Sequence, residues 1–207
     1  MTESIVMSDP ASLVRPAAEW LDFEVTRAIA ERGWCALALA GGRTPEPIYR
    51  ELALGSNIDW QQVNVFFGDE RAVPPDHPDS NYRMVHLALL SRVPIPSGQV
   101  HRMEAERPDR EAAAQEYERA LPPRLDILLL GMGPDGHTAS LFPGSAALDE
   151  RHRLVVPVVG PKPPAERLTI TPPVIAAARK VAVIATGEDK AGMVARAIEG
   201  PDGKIVV

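Results

Sequence analysis

The sequence predicts an α/β fold, a three-layer α/β/α domain built around a mainly parallel, Rossmann-like sheet. Three observations carry this. Short apolar, β-rich runs recur along the chain, segments of helical period separate them, and the runs lack the apolar–polar alternation of a sheet with one wet face. Strands alternating with helices imply crossover connections that place helices on both faces. The 207 residues suit a single domain, 1–207, with a sizeable core.

The elements follow in order. Leu13–Arg32 carries apolar residues at Leu13, Ala17, Trp20, Leu21, Val25, Ala28 and Ile29 and stops at Gly33, as a helix would. Strands are expected at Cys35–Ala40, Val63–Phe67, Leu125–Leu130, Leu154–Val159 and Val181–Ala185. Further helices are expected at Thr44–Ala53, Asn81–Leu90, Asp109–Leu121, Pro172–Ala178 and Asp189–Ile198. The 21 prolines are scattered between these segments as loop punctuation.

A formal charge of −6 leaves no basic excess to neutralise phosphates, which argues against nucleic-acid or membrane-surface partners. Cys35 is the only cysteine, so an internal disulfide is excluded, and its apolar surroundings predict a buried packing role. The N-terminal residues carry no basic stretch before an apolar one, and no run is long enough to span a membrane. A cytoplasmic, soluble protein is the expectation.

Ligands of such sheets bind beyond the carboxyl ends of the strands. The loops after Ala40, Phe67, Leu130 and Ala185 are therefore the place to look. In the first, Gly41 and Gly42 allow close backbone approach, Thr44 is a candidate N-cap and Pro45 suits the first helical position. Free N–H groups at that helix start, with Arg43 beside them, make a candidate anion site. A tight turn that needs glycine for geometry alone is the competing explanation. The second loop groups Asp69, Glu70 and Arg71 at a strand end, suggesting either a polar crevice or a solvated turn with an internal ion pair. Downstream, Ser80 and Asn81 are read as helix caps.

The third loop, G-M-G-P-D-G-H-T-A-S-L-F-P-G, is the most informative. Gly131, Gly133 and Gly136 have the spacing of a dinucleotide-binding loop. Three features oppose that reading: Asp135 would sit against a pyrophosphate, Pro143-Gly144 ends any following helix early, and no acid lies at the far end of the next strand. The alternative is that the glycines expose His137 for proton exchange near neutral pH, with Asp135 orienting the ring. His77, His86, His101 and His152 are expected at the surface, and no pair has the spacing of metal ligands. In the fourth region Arg167 precedes a small β-like step, and Lys190 sits in the first turn of a helix, where an anion would offset its unfavourable placement.

Together these stretches resemble the 6-phosphogluconolactonase family, a branch of the sugar-phosphate isomerase and deaminase superfamily. The matching segments are L-A-L-A-G-G-R-T-P, V-F-F-G-D-E-R-A-V-P with D-S-N-Y-R, G-M-G-P-D-G-H-T-A-S-L-F-P-G, and R-L-T-I-T-P with T-G-E-D-K-A, from Leu37 to Lys190. The resemblance implies hydrolysis of 6-phospho-D-glucono-1,5-lactone in the oxidative pentose phosphate pathway, with no metal and no organic cofactor. It implies phosphate anchoring by Gly41, Gly42, Arg43 and Thr44, assisted by Arg167 and Lys190. His137 would be the general base, with Asp69, Arg71 and Asp135 lining the reacting end. The partner would be a small sugar-phosphate lactone, and the protein a monomer or weak homo-oligomer.

Two departures stand out. Ala40 replaces the serine usual before the glycine pair, and the chain stops at Gly203-Lys204-Ile205-Val206-Val207, where relatives continue through a further strand and helix. The branch that isomerises and deaminates glucosamine 6-phosphate carries a carboxylate after the histidine loop, whereas Thr138-Ala139-Ser140-Leu141-Phe142 has none. A non-catalytic sugar-phosphate sensor could dispense with His137 and Asp69 and would normally carry a DNA-binding module. A serine esterase is disfavoured because no G-x-S-x-G elbow is present, and Ser140 is read as part of a short helix.

Overall fold

A computed structural model describes residues 4–199. The expectation about the C-terminal segment from Gly203 lies outside the described residues. Four parallel strands form the central sheet: β1 (Cys35–Leu39), β2 (Val63–Phe67), β4 (Ile127–Gly131) and β7 (Lys180–Ile184), in the order β2-β1-β4-β7. Its helices are α1 (Pro10–Arg32), α2 (Pro45–Gly55), α3 (Asn81–Val85), α4 (Arg110–Ala120), α5 (Pro172–Ala177) and α6 (Ala191–Glu199). α3 runs on into a wider π-type turn over His86–Leu90, so the helix expected at Asn81–Leu90 is present in two geometries.

The strands separate two cores. Cys35, Leu37 and Leu39 of β1 and Ile127 and Leu129 of β4 face Leu21 and Val25 of α1 and Ile48, Tyr49 and Leu52 of α2. Ala36 and Ala38, with Leu128 and Leu130, face Ala113, Ala114 and Tyr117 of α4 and Val174 of α5. Both faces of the strands are therefore dry, which is why their sequences lack alternation. Cys35 is fully buried, and burial pushes its thiol well above the usual range.

One expectation fails. The run read as a strand at Leu154–Val159 forms β5 (Val155–Val159), but it does not join the parallel sheet. It pairs antiparallel with β6 (Glu166–Ile170), which pairs antiparallel with β3 (Asp69–Arg71). Val155 is buried, Val156 and Val158 are half-buried, and Pro157 and Val159 are exposed, so β5 meets the core chiefly at its first residue. Through Val155, Leu168 and Ile170 this small sheet helps cover the second face of the parallel sheet. Its β3–β6 register sets Asp69 opposite Thr169 and Arg71 opposite Arg167, just past the carboxyl end of β2.

Two buried tyrosines fix the strand ends from which the functional loops depart. Tyr49 Oη donates to the Ala40 carbonyl (2.8 Å) and accepts from the Ala40 N–H (3.1 Å). Tyr117 Oη accepts from the Phe67 N–H (2.7 Å) and donates to the Phe67 carbonyl (3.1 Å). Each phenol satisfies a backbone N–H and carbonyl, at Ala40 just past β1 and at Phe67 at the end of β2.

Candidate active site

The loops after β1, β2, β4 and β7 meet through direct contacts. Thr44 heads α2, but its side chain makes no capping bond. Its hydroxyl instead meets the Thr186 hydroxyl at 2.8 Å, joining the β1 and β7 loops. Lys190 Nζ donates to the Thr186 carbonyl (3.0 Å), which holds the cation beside the α2 start. Gly42 has φ +101°, a conformation open to glycine, and Arg43 is exposed.

The Asp69-Glu70-Arg71 triplet is neither a solvated turn nor an internal ion pair. It is strand β3, and its alternation sends neighbouring side chains opposite ways. Glu70 is buried and structural. Its carboxylate accepts from the N–H groups of Arg71, Asn81 and Tyr82 and from the Ser80 hydroxyl, which closes the start of α3. Burial pushes the Glu70 carboxyl above the ordinary range against the pull of the three N–H donors. Asp69 is also buried, and its carboxylate accepts from Ser140 Oγ at 2.6 Å and from Asn81 Nδ2 at 3.0 Å.

Two sequence readings change here. Ser80 does cap α3, accepting from the Arg83 N–H, but the Asn81 side chain reaches Asp69 instead of capping. Ser140 lies in a tight turn in which Ala139 has φ 49°, not in a helix. Its N–H donates to Thr169 Oγ1 (3.1 Å), tying the β4 loop to β6.

Within the β4 loop, His137 Nδ1 lies 2.5 Å from Asp135 Oδ1. Partial burial raises the Asp135 carboxyl, yet the hydrogen bond and charge of His137 outweigh it and hold the carboxyl below the usual range. The glycines divide the labour. A methyl group on Gly133 would come 2.2 Å from His137 Nδ1, so this position must be glycine for the ring to pack. Gly136 has φ +86°, and a methyl there would strike Met193 of α6. No crossover helix follows the loop: the chain makes its turn at Thr138–Leu141 and passes through Ala146–Asp149, a short 3-10 turn, to β5. The Gly133 N–H donates to the His137 carbonyl (2.8 Å), so it is not free to stabilise an oxyanion.

Arg71 and Arg167 stand directly opposite each other on β3 and β6. Arg71 Nη1 donates to the Asp79 carbonyl (2.7 Å), while its buried Nε has no hydrogen-bond partner among the described residues. Arg167 is mostly buried and donates to the carbonyls of Pro164 (3.1 Å) and Lys162 (3.4 Å). Its guanidinium lies 5.4 Å from the Phe142 ring, and that ring packs against His137 with centroids 4.6 Å apart. Burial and the neighbouring Arg71 lower the Arg167 pKa. Like charges across a strand pair repel, so an anion on this face would relieve both.

Among the other histidines, His101 is not at the surface. It is half-buried, stacks on Phe66 at 4.6 Å and pairs with Asn64, and burial lowers its pKa. Among the described residues no three His, Cys, Asp or Glu side chains are grouped to hold a metal, and no helix is long and apolar enough to cross a membrane. Asn81, Ser140, Thr169, Thr186 and Phe142 are the site residues that sequence reasoning missed. Several of their contacts are remote in sequence and only the fold makes them: Thr186 meets Thr44 across 142 positions, and Ser140 meets Asp69 across 71 and Thr169 across 29.

A parallel sheet with a histidine, two carboxylates and two arginines gathered by its carboxyl-end loops defines an α/β protein with a polar site there, and comparison with known proteins supplies the family. The sequence profile described as glucosamine-6-phosphate isomerases/6-phosphogluconolactonase matches residues 8–205. A 6-phosphogluconolactonase of Synechocystis sp. is 43% identical over 195 residues, covering 89% of this chain and 80% of that protein. One from Mycobacterium tuberculosis is 41% identical over 218 residues, covering 98% and 88%. The crystal structure of 6-phosphogluconolactonase from Thermotoga maritima superposes with a TM-score of 0.84 at 32% identity, covering 91% of this chain and 87% of that one. The chain belongs to the glucosamine-6-phosphate isomerase/6-phosphogluconolactonase family.

Proposed function

We propose that this chain hydrolyses 6-phospho-D-glucono-1,5-lactone to 6-phosphogluconate, with His137 as the general base. The 2.5 Å tie between His137 Nδ1 and Asp135 carries the reading. An ionised Asp135 only accepts, so Nδ1 keeps its hydrogen and Nε2 presents the lone pair. Nε2 has no protein partner among the described residues.

In this scheme Nε2 takes a proton from a water molecule as its oxygen attacks the lactone carbonyl. The tetrahedral oxyanion collapses, the bond to the ring oxygen breaks, and the imidazolium returns the proton to that oxygen. Asp135 steadies the imidazolium between the two transfers. Arg71, with its unpartnered Nε, is the side-chain candidate for oxyanion stabilisation. Asp69 lines the same end. The phosphate is anchored by the Gly41-Gly42 loop with Arg43 and Thr44, by Lys190, and by Arg167. The Thr44–Thr186–Lys190 contacts support the first part of that assignment, and the burial of Arg167 with no ion-pair partner among the described residues supports the last. Binding energy from the phosphate orients a carbonyl that is remote from it.

The test is a coupled assay in which 6-phosphogluconate is oxidised by its dehydrogenase, corrected for spontaneous lactone opening. His137→Ala should lower kcat by about two to four orders of magnitude with little change in KM. A kcat near wild type would remove His137 from the role.

A further inference from the structure

We infer that Asn81 is a positioning residue tying the Gly41-Gly42 loop to the Asp69 carboxylate, and that position 41 is glycine to admit Asn81 and not to admit the substrate's phosphate. The inference deepens the proposed lactonase reading and rests on it for its kinetic test.

The two glycines of the loop differ physically. Gly42 needs glycine for its backbone, with φ +101° and open space where a methyl would point. Gly41 has no such backbone demand. A methyl there would lie 1.8 Å from Asn81 Oδ1 and 2.1 Å from Asn81 Cγ. The Asn81 side chain therefore occupies the volume that any other residue at 41 would claim.

Asn81 cannot easily yield. It is 2% exposed, it opens α3, and its own N–H donates to Glu70 at 2.8 Å. Its amide donates to the Asp69 carbonyl at 2.9 Å and to Asp69 Oδ1 at 3.0 Å, while Ser140 holds Oδ2 at 2.6 Å. Neutral donors on both oxygens thus fix the carboxylate, and one of them rests on Gly41. A loop that closes on a phosphate and a carboxylate at the reacting end share one rigid side chain. Displacing Asn81 turns Asp69 away, whatever the state of the phosphate site.

The experiment compares Gly41→Ala, Asn81→Ala and the double variant on 6-phosphogluconolactone and on unphosphorylated glucono-1,5-lactone. Binding of 6-phosphogluconate is followed by calorimetry. Gly41→Ala, which keeps the backbone N–H that the loop offers the phosphate, should lose kcat by about a hundredfold on both lactones, with a much smaller change in 6-phosphogluconate binding. The double variant should be no slower than Asn81→Ala alone, because the added methyl then has room. A loss confined to the phosphorylated lactone with weakened 6-phosphogluconate binding, or losses that multiply in the double variant, would overturn the inference. If Asn81→Ala does not fold, Asn81→Ser replaces it, with the same expectations. If the wild type opens neither lactone, the proposed function fails on its own. The contact is then read from thermal unfolding: Tm losses that are non-additive support it, and additive losses overturn it.

Discussion

At the scale of single residues, the site is a set of short contacts around two carboxylates with different tasks. Asp135 is half-exposed and holds an imidazole, whereas Asp69 is buried and held by two neutral donors. The first pair is legible in the sequence, because two positions in a glycine-rich loop suffice to make it. The second is not. Asp69 meets Asn81 and Ser140 across 12 and 71 positions, and nothing local to serine or asparagine signals those partners. Arg167 is the residue whose role is most separable. Its guanidinium is held by two carbonyls of its own hairpin and reaches His137 only indirectly, through the Phe142 ring, so truncation should leave the His137–Asp135 and Ser140–Asp69 hydrogen bonds in place. Arg167→Ala is expected to raise KM for the phosphorylated lactone while leaving the unphosphorylated one little changed; steady-state kinetics on both substrates check this. An equal loss on both would contradict phosphate binding by Arg167.

At the scale of elements, the loops depend on what pins their ends. Tyr117→Phe strips the Phe67 N–H and carbonyl of their partner in a buried setting. It should cost about 1–3 kcal/mol, read from denaturant unfolding. Glu70 makes a pH-dependent contribution. Its folded carboxyl is raised by burial, so the folded state holds a proton that the unfolded state releases between the ordinary glutamate pKa and the raised value. Stability from this group is thus greatest below that window and falls as pH rises through it. Glu70→Gln should flatten that slope in Tm against pH, at the expense of the donors that converge on the carboxylate. Element boundaries were unevenly legible. Asp9 caps α1 by accepting from the Ala11 and Ser12 N–H groups at 2.9 Å, with Pro10 next, so the Ser-Asp-Pro signal places the start earlier than the apolar period does. β3 spans only Asp69–Arg71 and reads as polar, so no local pattern announces it; its strand identity comes from pairing with β6.

At the scale of the whole molecule, apolar runs without alternation correctly located the four parallel strands, because burial on both faces leaves that signature. The same signature could not assign β5, since a run of valines does not state which sheet it joins or in which direction. The consequence is functional. The small antiparallel sheet that β5 completes carries Arg167 and Thr169 to the carboxyl end of the parallel one, where the other loops already converge. The helical layers and this sheet thus bring contacting loop residues between Gly41 and Lys190 to one end of the parallel sheet. The most direct measurement is the rate at which the purified protein converts freshly generated 6-phosphogluconolactone, above spontaneous hydrolysis, set beside its rate on glucosamine 6-phosphate. Enzymatic lactone opening with no release of ammonia from the amino sugar is the predicted result. Turnover of glucosamine 6-phosphate with no acceleration of lactone hydrolysis would contradict it.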